Sequence, residues 1–235
     1  MIEFENVEVF GWESSIRGLR SPMNSWDNSD SWYGCKCGDY GKTESKYCDE
    51  HCTADCTFCI GDNDLDLMKK LIAAGSDHSK FMRMINVTLD ITAPLYWWKE
   101  FDTYKVGTVR NSCSTMHKIH EKNFTLDDFS FEDFEVEDGE IFLSDCFTNV
   151  VADCEMLRKL FVETGNKKYW RGLIQLLPES YNQRATLMLN YEVLRNMYHS
   201  RKNHKLDEWV EFCKWIETLP YSELITGGNE NGTQD

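Results

Sequence analysis

Apolar and polar positions along the chain change period several times, and each change predicts an element. Residues 2–10 are rich in strand formers. Further on, Ile85, Val87, Leu89 and Ile91 alternate with Asn86, Thr88 and Asp90, which predicts a half-buried strand. Between them, GWESSIRGLRSPMNSWD predicts a short helix carrying Arg17 and Arg20 and ending near Pro22. NDLDLMKKLIAAG predicts a helix capped by Asn63, with Leu67, Leu71 and Ile72 apolar and Gly75 as its stop. Thr92 and Pro94 open a helix bearing Trp97, Trp98 and Phe101, since proline suits a first turn. Helical periodicity is lost at Gly107-Thr108. The C-terminal third reads as helical throughout. Val150, Cys154, Leu157 and Phe161 share a stripe that ends at Gly165, and KKYWRGLIQLLP stops at Pro178. NQRATLMLNYEVLRNMYHSR reads as one helix, and Trp209, Phe212 and Ile216 share one face of the next.

The predicted class is therefore α+β, mainly helical, with a small antiparallel sheet. Residues 1–29 and 63–227 read as a single domain. Residues 30–62, rich in Gly, Cys, Asp and Lys and without apolar period, read as an inserted segment. Residues 228–235 read as a disordered tail.

The charge balance narrows the function. A formal charge of -15 argues against general nucleic-acid binding, which needs a basic footprint. A hydrophobic content of 41% supplies a real core, and no apolar run is long enough to cross a bilayer. The start, MIEFENVEVF, lacks a basic region followed by an apolar block, so a cytoplasmic protein is expected. Residues 127–145 are acidic with interspersed phenylalanines and read as a surface excursion suited to a partner.

Of ten cysteines, Cys113, Cys146, Cys154 and Cys213 sit in apolar or helical contexts, where a thiol acts as a small hydrophobe. The other six, Cys35, Cys37, Cys48, Cys52, Cys56 and Cys59, crowd together with His51. Thiolates and imidazole at two-residue gaps suit a closed tetrahedral Zn²⁺ site that would staple a segment lacking its own core. A reduced metal-free loop or an oxidised one is the plainer alternative.

Two polar regions stand out. From Asn111 to His117 nearly every side chain can donate or accept, including Asn111, Ser112, Ser114 and Thr115, and Lys105 and Arg110 come just before. Such a run faces either water or a polar ligand. Trp97 and Trp98 beside it read first as core and interface, and second as walls for a flat ring. Far downstream, Asn190 and Arg201 lie eleven residues apart, about three helical turns, which sets both on one face if the segment is a helix. Arg201, Lys202, His204 and Lys205 make a local basic end, read either as an ordinary helix terminus or as a phosphate clamp.

These regions, in this order, resemble the flavin-dependent thymidylate synthases. That family carries Arg-His-Arg-x-x-Ser-x-Asn-Glu-x-Ser-x-Arg-Tyr after a strand–helix unit, then Leu-Pro, then an Asn with a substrate-binding Arg eleven residues on. Here Asn111 and Ser114 match the Asn and second Ser with one extra residue allowed, Leu177-Pro178 precedes Asn190, and Arg201 has the right spacing. His78, Ser79 and Phe81 resemble the family's Gly-His-x-Ser-Pro-Phe segment. Thr103, Tyr104 and Lys105 stand where Arg-His-Arg belongs, Ser112 replaces Glu, Met116 replaces Arg and His117 replaces Tyr. The resemblance implies a homotetramer with FAD and a pyrimidine nucleotide, dUMP, and transfer of a one-carbon unit followed by reduction. It implies Arg201, Asn190, Ser112 and Ser114 as nucleotide-binding, with Arg17 and Arg20 as further phosphate groups. Asn111, Lys105, His78 and His117 become flavin neighbours. The alternative is a non-catalytic binding protein on the same scaffold, meeting partners through its acidic segment and zinc loop.

Overall fold

The computed structural model describes residues 2–35, 56–134 and 143–227. The expected ligands Cys37, Cys48, His51 and Cys52 and the tail 228–235 lie outside the described residues. The class is the predicted one, mainly helical with a small antiparallel sheet. No described helix is long and apolar enough to cross a membrane.

The chain divides into two compact units, the first made of residues 1–7, 88–188 and 205–212. The four-stranded sheet is ordered β1-β4-β6-β5, from β1 (Glu3–Phe10), β4 (Asn86–Pro94), β5 (Val109–Ser112) and β6 (Asn182–Asn190), and most of its residues belong to this unit. In β4 the predicted alternation is observed: Val87, Leu89, Ile91 and Ala93 are buried. Helix α3 (Leu95–Phe101) follows directly and delivers Trp97, Trp98 and Phe101 to the core. Trp97 packs 4.9 Å from both Trp98 and Trp209, the latter on α7 (Asp207–Glu217), and 5.7 Å from Phe212. Both tryptophans are core residues, at 0% and 2% exposed, so neither walls a ligand ring. A second cluster, Phe124, Phe129, Phe147, Val151, Cys154 and Leu173, gathers under α4 (Leu143–Thr164) and α5 (Lys167–Leu176).

The second unit comprises residues 8–87, 189–204 and 213–235. Helix α1 (Trp12–Arg20) is the predicted one. It is entered through Gly11 at φ +94°, where an added Cβ would lie 2.1 Å from the Met84 carbonyl oxygen, so only glycine fits. Trp12 meets Tyr191 and Tyr221 edge-on, each at 5.2 Å. Strands β2 (Trp32–Cys35) and β3 (Cys56–Cys59) pair antiparallel, with Cys35 opposite Cys56 and Trp32 opposite Cys59.

Four expectations need correction. NQRATLMLN is strand β6, not helix: Gln183, Ala185, Leu187 and Leu189 are buried while Arg184, Thr186 and Met188 face out, a period of two. The helix is only α6 (Tyr191–Arg201), and the Asn190 side chain caps it by accepting from the Val193 N–H at 3.0 Å. Asn190 and Arg201 thus stand at opposite ends of this helix, about three turns apart, with Asn190 at its cap rather than within it. Helix α2 (Asp62–Ala73) is capped at Gly61 rather than Asn63, because the Asp30 carboxylate accepts from the N–H groups of Asn63 (2.9 Å) and Asp64 (3.0 Å). It buries Asp64 and Met68 and leaves the apolar Leu67, Leu71 and Ile72 half-buried. In the acidic segment Phe129 is buried, and Phe131 and Phe134 pack on the second cluster, so these rings serve the core. Residues 135–142 lie outside the described residues. Cys154 and Cys213 are buried as expected, and burial pushes both thiols up to about 11; Cys113 and Cys146 are exposed.

Arg20 donates from Nε to Asp64 at 2.6 Å, with side chains only 7% and 0% exposed. Burial alone would raise the Asp64 pKa, and hydrogen bonds from Ser29, Ser31 and Arg20 more than reverse that, holding it low. Replacing Asp64 by Ala strands a buried guanidinium. The expected loss is about 3–5 kcal/mol, read from the midpoint of urea unfolding; a loss under about 1 kcal/mol would show that the pair is not what holds α1 to α2.

Candidate functional site

The polar stretch after α3 is organised around Arg110. Its place in β5 is opposite Leu187, with Asn111 opposite Thr186 and Ser112 opposite Ala185. The Arg110 guanidinium donates to both oxygens of Asp102, at 2.7 and 2.9 Å, and to Gln183 Oε1 at 2.6 Å. It lies 4.0 Å from the centre of the Trp98 ring, a cation–π arrangement. Gln183 is itself fixed from both sides: its Nε2 donates to the Cys113 carbonyl at 2.6 Å, and its carbonyl accepts from Trp98 Nε1 at 2.9 Å. The sequence has strand formers too few to announce β5, and the side chain of Arg110 supplies what hydrophobic periodicity does not.

The bracket sets residues 113–115 along a cavity of about 900 Å³ in the first unit. Ser114, Thr115, Asn123 and Asn182 line it with hydroxyl and amide groups, and Phe124, Phe129 and Tyr181 form an apolar wall. Tyr181 lies 5.6 Å from Phe129 and 6.1 Å from Phe124, and burial raises its pKa. Three cations reach the cavity. Lys118 pairs with Glu121 and Lys122 with Asp128, each at 2.5 Å, and both ammonium side chains are mostly exposed. Arg184 is held by Glu5 at 2.9 Å and Asp90 at 2.7 Å. Asp90 accepts from Arg184, Thr186 and Asn6, and these bonds hold its carboxyl well below the usual carboxylate range.

The loop that carries both lysines is tied to α4. Glu155 accepts from the Phe124 N–H at 3.1 Å and from Arg158 through two bonds of 2.7 Å, and Arg158 donates to the His120 carbonyl at 3.2 Å. Arg158 foremost, with the Phe124 N–H, holds the Glu155 pKa down at about 2.

The predicted residues are distributed as follows. Asn111, Ser112, Ser114 and His117 fall in one exposed or half-buried run, and the Ser114 hydroxyl accepts from the His117 N–H at 3.0 Å. Only Ser114 of these lines the cavity. Lys105 is exposed in a turn. In the second unit, Arg201 ends α6 with its guanidinium 2.9 Å from His204 Nε2, Asn190 is spent as a cap, and His78 is exposed in a turn. Arg20 is buried against Asp64, and Arg195 donates to the carbonyls of Ile225 and Gly227. Arg17 is exposed and lines a separate aromatic cavity with Trp12, Tyr33 and Tyr221. Sequence reading stopped at His117 and so missed Lys118, Lys122 and Asn182; the polar run KIHEKN that continues past His117 was the available signal. Among the described residues no three His, Cys, Asp or Glu side chains converge to hold a metal ion.

One stability prediction follows from Glu155. Its folded pKa lies below the ordinary value of 4.5, so it contributes stability above that value, lost as pH falls towards about 2. Glu155→Gln should lower stability at neutral pH by about 1–3 kcal/mol. It should also flatten the decline in melting temperature across that acid window. An unchanged acid profile would show that the loop is not anchored through this carboxylate.

No family model and no curated protein matches the sequence. Solved structures do match. One is the flavin-dependent thymidylate synthase ThyX from Helicobacter pylori complexed with FAD and dUMP, with TM-score 0.64 and 16% identity, covering 95% of this chain and 97% of that one. Another structure of Thymidylate Synthase X from the same organism, with FAD and dUMP, has TM-score 0.62 and 16% identity, covering 96% and 97%. Similarity running the whole length of both chains, with sequence identity this low, is similarity of architecture. The chain has the fold of the flavin-dependent thymidylate synthases.

Proposed function

We propose that this protein is a divergent flavin-dependent thymidylate synthase-like protein that binds a pyrimidine deoxynucleotide and FAD. The observation that carries this reading is the end-to-end likeness to an enzyme solved with FAD and dUMP. The cavity beside the segment that resembles the family signature supports it. A volume of about 900 Å³ with an aromatic wall and a few hydroxyl and amide groups is the kind of site a small ligand takes.

The donor set suits phosphorylated ligands. Lys118 and Lys122 offer two mostly exposed ammonium groups at the cavity, and the exposed Lys118–Glu121 pair is worth only about 0–1 kcal/mol. A phosphate can therefore take a lysine from its carboxylate at small cost. In the second unit, Arg201 and Lys202 offer another cationic place at the C-terminal end of α6. Two cationic places fit two phosphorylated ligands, with ammonium groups standing in for much of the family's guanidinium. In this reading Lys118 and Lys122 hold the phosphates of FAD, and Ser114, Thr115 and Asn182 bond its polar ring edge. Arg201 holds the nucleotide phosphate, and Arg17 is a further phosphate-binding side chain. Asn111, Ser112, His117, Lys105 and His78 remain proposed as outer contacts. Bound flavin would supply hydride chemistry that no side chain here provides.

A non-catalytic binding role on the same scaffold draws support from a specific feature. Arg20, Arg110 and Arg195 are each engaged inside the protein, so three forks that could grip phosphate are engaged elsewhere. A homotetramer, implied by the family resemblance, and a cytoplasmic location are part of this reading. The facing positions of Cys35 and Cys56 in the β2–β3 pairing support a structural Zn²⁺ in the cysteine-rich segment.

Purified protein should be yellow, or become so with added FAD. FAD and dUMP together should raise the melting temperature, since a ligand at a hundred times its Kd stabilises by roughly 2.7 kcal/mol. Arg201→Ala should weaken dUMP binding by about tenfold or more while leaving flavin bound. Lys118→Ala with Lys122→Ala should do the reverse. Colourless protein with no thermal response to either ligand would defeat the reading, and bound ligands without thymidylate formation would select the non-catalytic one. Metal analysis after dialysis in reducing buffer should find about one Zn²⁺ per chain; substantially less would remove the zinc staple.

A further inference from the structure

A second cavity, of about 1120 Å³, opens in the first unit between the start of α7, the 130–134 stretch and the 178–180 turn. Its chemistry is unlike that of the first. Seven carboxylate side chains line it against one ammonium, Lys205, and its walls are Tyr96, Phe131, Phe134 and Phe147. Glu208 is the deepest of the acids, only 8% exposed. Its partner is the Tyr96 hydroxyl, which donates to it, and among the described residues no cation pairs with it. A buried carboxylate without a counter-charge is costly, and the N-terminal end of α7 offsets only part of that cost. Beside it, the Ser180 hydroxyl is also shut off from solvent without a hydrogen-bond partner, although Ser180 lines the cavity. The carboxylate asks for positive charge, and the neighbouring hydroxyl for a hydrogen-bond partner that an ammonium N–H can be.

The spacing of the acids says what kind of cation. Among the described residues no three carboxylates converge on one point, as a metal ion would require. They are instead strung along a cleft with aromatic walls. This pattern suits charges separated by apolar chain, with ammonium groups meeting carboxylates and methylenes lying on rings. We infer that this cleft binds an organic polycation of the polyamine class, with Glu208 and Ser180 receiving one ammonium group and Asp133 and Glu211 another.

The inference does not depend on the nucleotide reading. Titration calorimetry of the full chain with spermidine at about 0.15 M salt, where the Debye length is near 8 Å, separates site binding from loose attraction to an acidic protein. Saturable binding of one spermidine per chain is expected, tighter than that of the diamine putrescine. Glu208→Gln should weaken it about tenfold or more. Should that variant fail to fold, the exposed pair Asp133→Asn and Glu211→Gln provides the same reading at the rim. Non-saturable binding, equal affinity for Mg²⁺, or variants that bind as tightly as the parent would overturn the assignment.

Discussion

The bidentate hold of Arg110 on Asp102, with Gln183 at its other nitrogen and Trp98 beneath it, is the constraint on which the candidate site rests. It closes the turn between α3 and β5, and through Gln183 it fixes the carbonyl of Cys113. Everything that reaches the first cavity from that side, Ser114 and Thr115 above all, hangs from this bracket. Arg110 Nε is buried without a partner, so the guanidinium is not perfectly served. Two carboxylate oxygens, an amide oxygen and a ring face nonetheless outweigh that one orphan donor.

The bracket also explains why a polar stretch can sit beside two tryptophans. Trp98 meets the polar run with its ring face, over which Arg110 lies, and its N–H donates to the main-chain carbonyl of Gln183 on β6, while Trp97 turns entirely into the aromatic core. The density of polar groups after Phe101 is thus partly internal carpentry. What remains for a ligand is Ser114 onward, together with Lys118 and Lys122, which lie past the point where the family resemblance draws the eye.

Much of the fold was legible in the sequence where one period dominates. The alternation from Ile85 to Ile91 gave β4, and the stripe of Trp209, Phe212 and Ile216 gave α7. Strand β6 was not legible because Leu187, Tyr191 and Leu194 fall at i, i+4 and i+7 and so mimic a helical face, and nothing in the sequence tells that Asn190 ends one element and starts another. The cap on α2 was misread for a different reason: its donor groups are met by Asp30, thirty-odd residues away, and no local rule reaches that far. For the site, residue types were readable and their occupancy was not. Arg20, Arg110 and Arg195 look equally ready for phosphate on paper, and each is already bonded within the protein.

The amide of Asn190 has a further consequence. Because this residue closes β6 and caps α6, strand register and helix phase are mechanically coupled across it. Slipping the strand by a single position would turn its buried residues outward and withdraw the amide from the helix start it serves. Insertions should therefore be tolerated in the surface turns yet ruinous between Gln183 and Asn190, where one deleted residue would cost both a strand face and a helix cap.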